Sequence, residues 1–168
     1  IKETLVQYQK SLKAEFGDII AKEAIPLKAI AEGNDDGAGP AELEKLASDL
    51  PVVRIVDTLL NHAILQQASD IHIEPLEKEL IIRYRIDGIL HDAMVLPRAA
   101  ASGIVARIKV LAGLRLDEKR LPQDGRFKIE AKGQKVSFRV STLPTYYGEK
   151  SVLRLLPESS HGFTLEGL

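Results

Sequence analysis

An antiparallel hairpin at Asp87-Gly88 is the feature of this sequence that most restricts its fold. An Asp-Gly pair favours the tight turn of a two-residue hairpin, and it follows a run in which Ile82, Tyr84 and Ile86 alternate with more polar residues. An apolar period of two residues is typical of a strand with one buried face. The segment therefore predicts two adjacent antiparallel strands rather than a pair of parallel strands joined by a helix.

The remaining periodicity predicts helices and strands in two successive groups. A wide apolar stripe predicts a helix over residues 51–68 with Pro51 in its first turn, and a second helix follows Pro97 and ends near Gly113. A glycine turn is expected at Gly133. Strands are predicted near residues 70–74, 81–86, 89–96, 127–131, 135–142 and 150–156. The fold class that follows is α+β, with a mostly antiparallel sheet and helices packed on it.

The chain divides into three parts of different character. Residues 1–23 carry apolar side chains at helical spacing, and turn-forming residues then dominate from Gly33 to Pro40. We interpret residues 1–47 as the helical end of a preceding domain plus a linker. Residues 48–158 form the predicted compact domain, and residues 159–168 begin a connection to a further domain. Because the chain starts at Ile1, inside a helical pattern, we interpret it as a piece of a longer protein.

Composition excludes several classes of protein. The 168 residues include 23 basic and 24 acidic side chains, so the net charge of -1 gives no bulk attraction to nucleic acid or anionic lipid. The absence of cysteine excludes a disulfide framework and a thiolate metal site in this sequence, and it favours a reducing compartment such as the cytoplasm. No apolar run approaches the roughly 18 residues of a membrane span, and no signal peptide is recognisable.

Neither a phosphate-binding loop nor a convincing metal site is present in the sequence. A Walker loop needs a Gly-Lys pair after a glycine-rich turn, and this chain has none. Asp70, His72 and Glu74 share one face of a predicted strand and could together bind zinc. The alternative is the polar face of an amphipathic strand, which we favour because no third His or Cys lies nearby. We therefore expect no metal site.

Arginines on or beside the predicted strands are better candidates for a binding site. Arg139 and Arg154 each interrupt an apolar run, and a guanidinium fixed on a strand is always charged and matches phosphate or carboxylate oxygens. The alternative is that they occupy solvated faces or pair with an acid. A nucleic-acid patch is disfavoured, because aromatic stacking residues do not alternate with the arginines. The arginines in this class are Arg83, Arg85, Arg120, Arg126, Arg139 and Arg154, and the candidate acids are Asp87, Asp124 and Glu149.

Four motifs in a fixed order identify a family resemblance. They are SDIHIEP (residues 69–75), RYRIDGIL (83–90), EKRLPQDGR (118–126) and RVSTLPTYYGEKSVLRLL (139–156). Together they resemble the second amino-terminal domain of the type II secretion and type IV pilus-assembly ATPases, over about residues 48–158. The resemblance implies a PAS-like fold, followed in the parent protein by a RecA-like ATPase domain that carries the Walker loop. It also implies that this sequence is truncated before that domain and does not hydrolyse ATP alone.

The resemblance also implies roles for particular residues. Arg139 and Arg154 match the arginines that reach the terminal phosphate of the nucleotide in this family, and Arg126 is the next candidate. Pro122 to Gly125 are expected to form a rigid turn that presents Arg126. ATP and Mg²⁺ are the implied cofactors of the full-length protein, and no cofactor is expected to bind to this part alone. The implied function is a nucleotide-sensing, regulatory domain of a hexameric ATPase that powers pilus assembly or protein secretion.

The implied partners follow from the same resemblance. They are the ATPase domains of the same and neighbouring subunits of a homohexamer and an inner-membrane platform protein, with no nucleic acid. The implied location is the cytoplasm, at the periphery of the inner membrane. One alternative is a free-standing PAS-like binding module without a motor. A second alternative is a zinc hydrolase that uses His72 and Glu74.

Overall fold

The computed structural model describes residues 39–131 and 133–158, which form one helical layer and one sheet. The helices are α1 (Pro40–Ser48), α2 (Leu50–Leu65) and α3 (Ala101–Ala112), with a short 3-10 turn at Arg98–Ala100. The strands are β1 (Asp70–Pro75), β2 (Glu79–Ile86), β3 (Ile89–Pro97), β4 (Gln123–Ala131), β5 (Gln134–Thr145) and β6 (Gly148–Pro157). The predicted α+β class is confirmed. None of the helices in these residues has the length and apolarity needed to cross a bilayer.

The six strands form a single antiparallel sheet in the order β3-β2-β1-β6-β5-β4. Each group of three consecutive strands is a meander, and the two meanders join where β1 pairs with β6. The predicted hairpin turn is confirmed, since Asp87 and Gly88 adopt φ values of 51° and 81° between β2 and β3. Gly133, with φ 76°, lies between β4 and β5 as predicted.

The core lies between the helices and one face of this sheet. Strand residues on that face, such as Ile73, Phe138 and Leu153, are fully buried together with Ile55 of α2. Tyr84 fixes α2 over the sheet, because its buried hydroxyl donates a hydrogen bond of 2.9 Å to the Leu59 carbonyl oxygen. Side chains on alternate strand positions must point away from the helices. We call the face that they form the outer face.

The helices differ from the sequence prediction in two places: one ends earlier than predicted, and one was not predicted. Helix α2 ends at Leu65 rather than Ala68, because Gln67 adopts a positive φ of 55°. Helix α1 begins at Pro40, inside the stretch interpreted as a linker, and Leu43 and Ala47 are buried against α3. The division of the chain into domains stays a prediction, and residues 1–38 and 159–168 lie outside the described residues.

Gly125 belongs to a strand and not to the expected turn. Strand β4 already begins at Gln123, so the predicted turn from Pro122 to Gly125 is wrong. A Cβ atom on Gly125 would lie 2.6 Å from the Ala112 carbonyl oxygen and 2.8 Å from Cδ2 of Leu114. Glycine is needed here because β4 passes the end of α3 too closely for any side chain.

Substituting Gly125 by alanine should therefore destabilise the domain. We expect Gly125→Ala to lower the free energy of unfolding by about 1–3 kcal/mol, because β4 must move away from α3. Urea denaturation followed by circular dichroism measures this difference. Gly39→Ala is the matched control, since a Cβ there meets no atom within 4 Å. Equal unfolding midpoints for the two variants would contradict the steric explanation.

Candidate functional site

A row of charged residues crosses the outer face of the sheet. The strand register sets Arg126 of β4 opposite Arg139 of β5, and Arg139 opposite Arg154 of β6. Arg154 lies opposite Asp70 of β1, which in turn lies opposite Arg85 of β2. Directly opposed residues have Cβ atoms about 4.5–5.5 Å apart. The sheet thus brings four arginines and one aspartate side by side, and we call these five residues the arginine row.

Strand alternation explains why these arginines reach the outer face. Arg139 stands between Phe138 and Val140, both fully buried on the helical side. Arg154 stands between Leu153 and Leu155, which are also buried. Because neighbouring residues of a strand point to opposite sides, an arginine that interrupts an apolar run must point outward. The sequence signal that singled out these two arginines therefore has a structural cause.

Asp70 is the acid of the row and is itself buried, with 7% of its surface exposed. One carboxylate oxygen, Oδ1, accepts a hydrogen bond of 3.2 Å from Nε of Arg154. The other oxygen, Oδ2, accepts a hydrogen bond of 2.9 Å from the Ser69 hydroxyl and lies 3.9 Å from Nε of Arg85. Two arginines of the row therefore share one counterion.

The other two arginines of the row have no such counterion. Arg126 and Arg139 are exposed, and neither forms an ion pair or a side-chain hydrogen bond with any residue that the structure describes. Like charges directly opposite each other on neighbouring strands are destabilising. Forked guanidinium groups match the oxygens of phosphate and carboxylate. The row can therefore bind an anion, which would relieve its internal repulsion.

Two of the three candidate acids, Asp124 and Glu149, have other partners. Asp124 accepts a hydrogen bond of 2.5 Å from the Ser141 hydroxyl. Glu149 faces the helical side, where an oxygen lies 2.6 Å from the ammonium nitrogen of Lys109. The acid of the row, Asp70, belongs instead to the three residues whose spacing suits a metal site. Sequence spacing could not identify it, because Asp70 and Arg154 are separated by 84 positions.

The predicted sharing of one face is confirmed for Asp70, His72 and Glu74. The carboxylates of Asp70 and Glu74, however, are already paired with basic side chains. Glu74 lies 2.9 Å from a terminal nitrogen of Arg83 and 3.8 Å from the Lys150 ammonium. No group of three or more potential metal ligands occurs within residues 39–131 and 133–158. Ion pairing is the role that the geometry supports for the carboxylates of Asp70 and Glu74.

The environment of His72 keeps its imidazole neutral. Burial lowers its pKa, and the positive charges of Lys150, Arg85 and Arg83 lower the pKa further, while Asp70 opposes them. The folded-state pKa thus lies below the ordinary histidine value, so His72 carries no charge at neutral pH. The positive charge of this face comes from arginine and lysine.

A buried ion pair between Lys109 and Glu149 lies on the helical side of the sheet, and it was not predicted from the sequence. The ammonium of Lys109, in α3, donates hydrogen bonds of 2.8 Å to Oε1 of Glu149 and to the Glu118 carbonyl oxygen, and Oε2 of Glu149 lies 2.6 Å from it. The Lys109 side chain is only 2% exposed. The one available signal was a lysine inside the apolar run from Ile108 to Leu111, which is easily mistaken for a solvent-facing position.

A cavity of about 230 Å³ lies beside this ion pair, between α1, α3 and the β5–β6 turn. Leu43, Val105 and Leu116 contribute apolar walls. The charged group of Arg98 at its edge is already engaged, since its terminal nitrogens donate to the carbonyl oxygens of Leu76 (2.7 Å) and Tyr147 (2.8 Å). These hydrogen bonds connect the 3-10 turn to the β5–β6 turn, so the role that the geometry supports for Arg98 is structural.

Comparison with known proteins gives consistent matches along the chain. A family described as "Type II/IV secretion system protein" matches residues 45–168. The type IV pilus assembly ATPase PilB of Myxococcus xanthus is 40% identical over 161 residues, which cover 95% of this chain and 28% of that protein. Type II secretion system protein E of Dickeya dadantii is 49% identical over 120 residues, which cover 71% of this chain and 24% of that protein. The chain thus spans about a quarter of the length of these relatives.

Proposed function

This chain belongs to the type II/IV secretion system protein family, and we propose that its sheet is the nucleotide-sensing part of an ATPase that powers protein secretion or pilus assembly. Arg139 and Arg154 contact the terminal phosphate of ATP, with Arg126 as a third contact. A separate ATPase domain of the full-length protein, which also holds Mg²⁺, binds this nucleotide. The regulatory unit comprises residues 48–158.

The observation that carries this assignment is the alignment of three arginines on three neighbouring strands. Arg126, Arg139 and Arg154 are directly opposed, and Asp70 contacts only the last of them. Such a row is electrostatically unfavourable until an anion approaches it. A terminal phosphate offers several charged oxygens in a small volume, so neighbouring guanidinium groups can bind it together.

The sheet also suits the chemistry of phosphoryl transfer. Charge on the transferred group is stabilised in the transition state by positively charged groups held at fixed positions. The ten-residue pairing of β5 with β6 fixes the backbone of Arg139 and Arg154 relative to each other. Movement of this domain as a rigid unit would therefore bring both arginines to the nucleotide or remove both, which couples the nucleotide state to domain closure.

The assembly that follows from this role is a homohexamer in the cytoplasm. In it, the arginine row faces an ATPase domain of the same or a neighbouring subunit. An inner-membrane platform protein holds the hexamer at the membrane. The names of the relatives, which refer to type II secretion and type IV pilus assembly, support the link to these two processes.

Chemical modification of arginine tests whether nucleotide covers the row. The full-length protein is treated with phenylglyoxal, with and without a non-hydrolysable ATP analogue and Mg²⁺, and modified peptides are quantified by mass spectrometry. We expect the analogue to slow the modification of Arg139 and Arg154. Arg120, which lies in the loop between α3 and β4, is the control and should react equally in both samples. Equal reaction of Arg139 and Arg154 with and without bound analogue would exclude their contact with phosphate.

A further inference from the structure

Arg154 uses only one part of its guanidinium group within the domain. Its Nε donates to Oδ1 of Asp70 at 3.2 Å, and its terminal nitrogens donate no hydrogen bond to any residue in the described ranges. The side chain remains 62% exposed although one end is held by a buried carboxylate. Arg85, on the other side of Asp70, differs because its terminal Nη1 donates to the Gly88 carbonyl oxygen at 2.9 Å.

We propose that Asp70 is a positioning residue that anchors Arg154 through Nε and leaves both terminal nitrogens free to bind the phosphate. The anchoring is argued from geometry alone, whereas the identity of the anion rests on the proposed function. A free arginine side chain has several rotatable bonds, so holding it before the ligand arrives reduces the entropy lost on binding. Asp70 thereby prepares Arg154 for its ligand.

Asp70 is rigid enough to act as an anchor. In the sheet, Asp70 lies opposite Arg85 of β2 on one side and opposite Arg154 of β6 on the other, near the centre of the sheet. The Ser69 hydroxyl donates to Oδ2 at 2.9 Å, which leaves Oδ1 directed to Arg154. A buried carboxylate with these partners has little freedom to rotate.

The contact with Asp70 makes Arg154 different from Arg139, the other main proposed phosphate contact. The side chain of Arg139 has no hydrogen-bond partner within residues 39–131 and 133–158, so it is free to follow the nucleotide. Arg154 is held before nucleotide arrives. Removal of the Asp70 charge should therefore release Arg154 and leave the mobility of Arg139 unchanged.

Hydrogen exchange at arginine Nε measures the anchoring directly in this chain. We expect the Nε–H proton of Arg154 to exchange at least about tenfold more slowly in the wild type than in Asp70→Asn, because the hydrogen bond to a charged carboxylate is lost. Asp124→Asn is the matched control, since Asp124 lies on the same face and accepts a hydroxyl hydrogen bond but contacts no arginine of the row. The Arg154→Lys variant, which has no Nε–H, assigns the signal.

Two outcomes would overturn the anchoring. One is exchange of the Arg154 proton at the same rate in the wild type and in Asp70→Asn. The other is exchange in the wild type as fast as at Arg126 and Arg139, which lack a partner. The second comparison decides the question even if Asp70→Asn does not fold.

Turnover by the full-length ATPase tests whether the anchoring serves the nucleotide. We expect Asp70→Asn to lower kcat, and we expect the double variant Asp70→Asn with Arg154→Ala to equal Arg154→Ala alone. Additive losses would instead assign Asp70 a structural role independent of Arg154. Turnover that is unchanged in Arg154→Ala, together with slow exchange of the Arg154 Nε–H proton in the wild type, would refute the proposed function and leave the anchoring by Asp70 intact.

Discussion

Alanine at position 139 or 154 should abolish most of the ATP turnover of the full-length protein. We expect kcat to fall by at least about tenfold for Arg139→Ala and for Arg154→Ala, because each removes a positive charge from the phosphoryl group in the transition state. Arg139 is exposed and its side chain has no partner in the described residues, so its loss should not destabilise the domain. Arg154→Ala takes one partner from the buried Asp70 carboxylate, which keeps the Ser69 hydroxyl and Arg85, so we expect this variant to be folded but less stable. Steady-state ATP hydrolysis, with thermal unfolding measured in parallel, separates an effect on turnover from an effect on stability.

Lys128→Ala provides the matched control for this result. Lys128 is also a cation on the outer face, opposite Ser137, but it stands outside the arginine row and pairs with Glu158 at 2.6 Å. We expect its removal to leave turnover within about twofold of the wild type, since an exposed ion pair contributes little. Near-normal rates in both Arg139→Ala and Arg154→Ala would show that these arginines do not act on the nucleotide.

The second large effect concerns stability and the ion pair between Lys109 and Glu149. Truncation of Lys109 to alanine leaves the Glu149 carboxylate, which is 11% exposed, without its partner. We expect Lys109→Ala to lower the free energy of unfolding by about 3–5 kcal/mol, because a buried charge loses its compensation. Urea denaturation of this chain measures the loss.

Removing both charges distinguishes an ion-pair effect from a packing effect. We expect the double variant Lys109→Met with Glu149→Leu to be more stable than either single variant, because no buried charge is then left alone. A double variant whose loss equals the sum of the single losses would show that side-chain volume, rather than charge, determines the stability of this region.

Local patterns in the sequence predicted the elements that depend on local physics. Asp87-Gly88 predicted its hairpin because the preference for positive φ belongs to those two residues. The prediction for Gly125 was wrong because glycine usually indicates a turn. Glycine is required at this position by a contact with Ala112, which lies on another element. Sequence reasoning succeeded where the cause lay within a few residues.

The candidate site was predicted only in part, because its geometry depends on register. The interruption of apolar runs singled out Arg139 and Arg154 as binding candidates, and in the structure both point outward from the sheet. Their alignment depends on the pairing of β5 with β6, and the contact with Asp70 depends on the pairing of β1 with β6. Lys109 and Glu149 were missed for the same reason, since they meet across 40 positions.

The pairing of β1 with β6 has a consequence for synthesis of the protein. The first and last strands form the middle of the sheet, so β1 leaves the ribosome long before the strand that will cover its free edge. Until Gly148–Pro157 emerges, the first meander presents the edge of Asp70 to Ile73, with which β6 will pair, to other nascent chains. Closing so long a loop also slows folding. The edge that lies at the centre of the finished sheet is therefore open to association with other chains until β6 is synthesised.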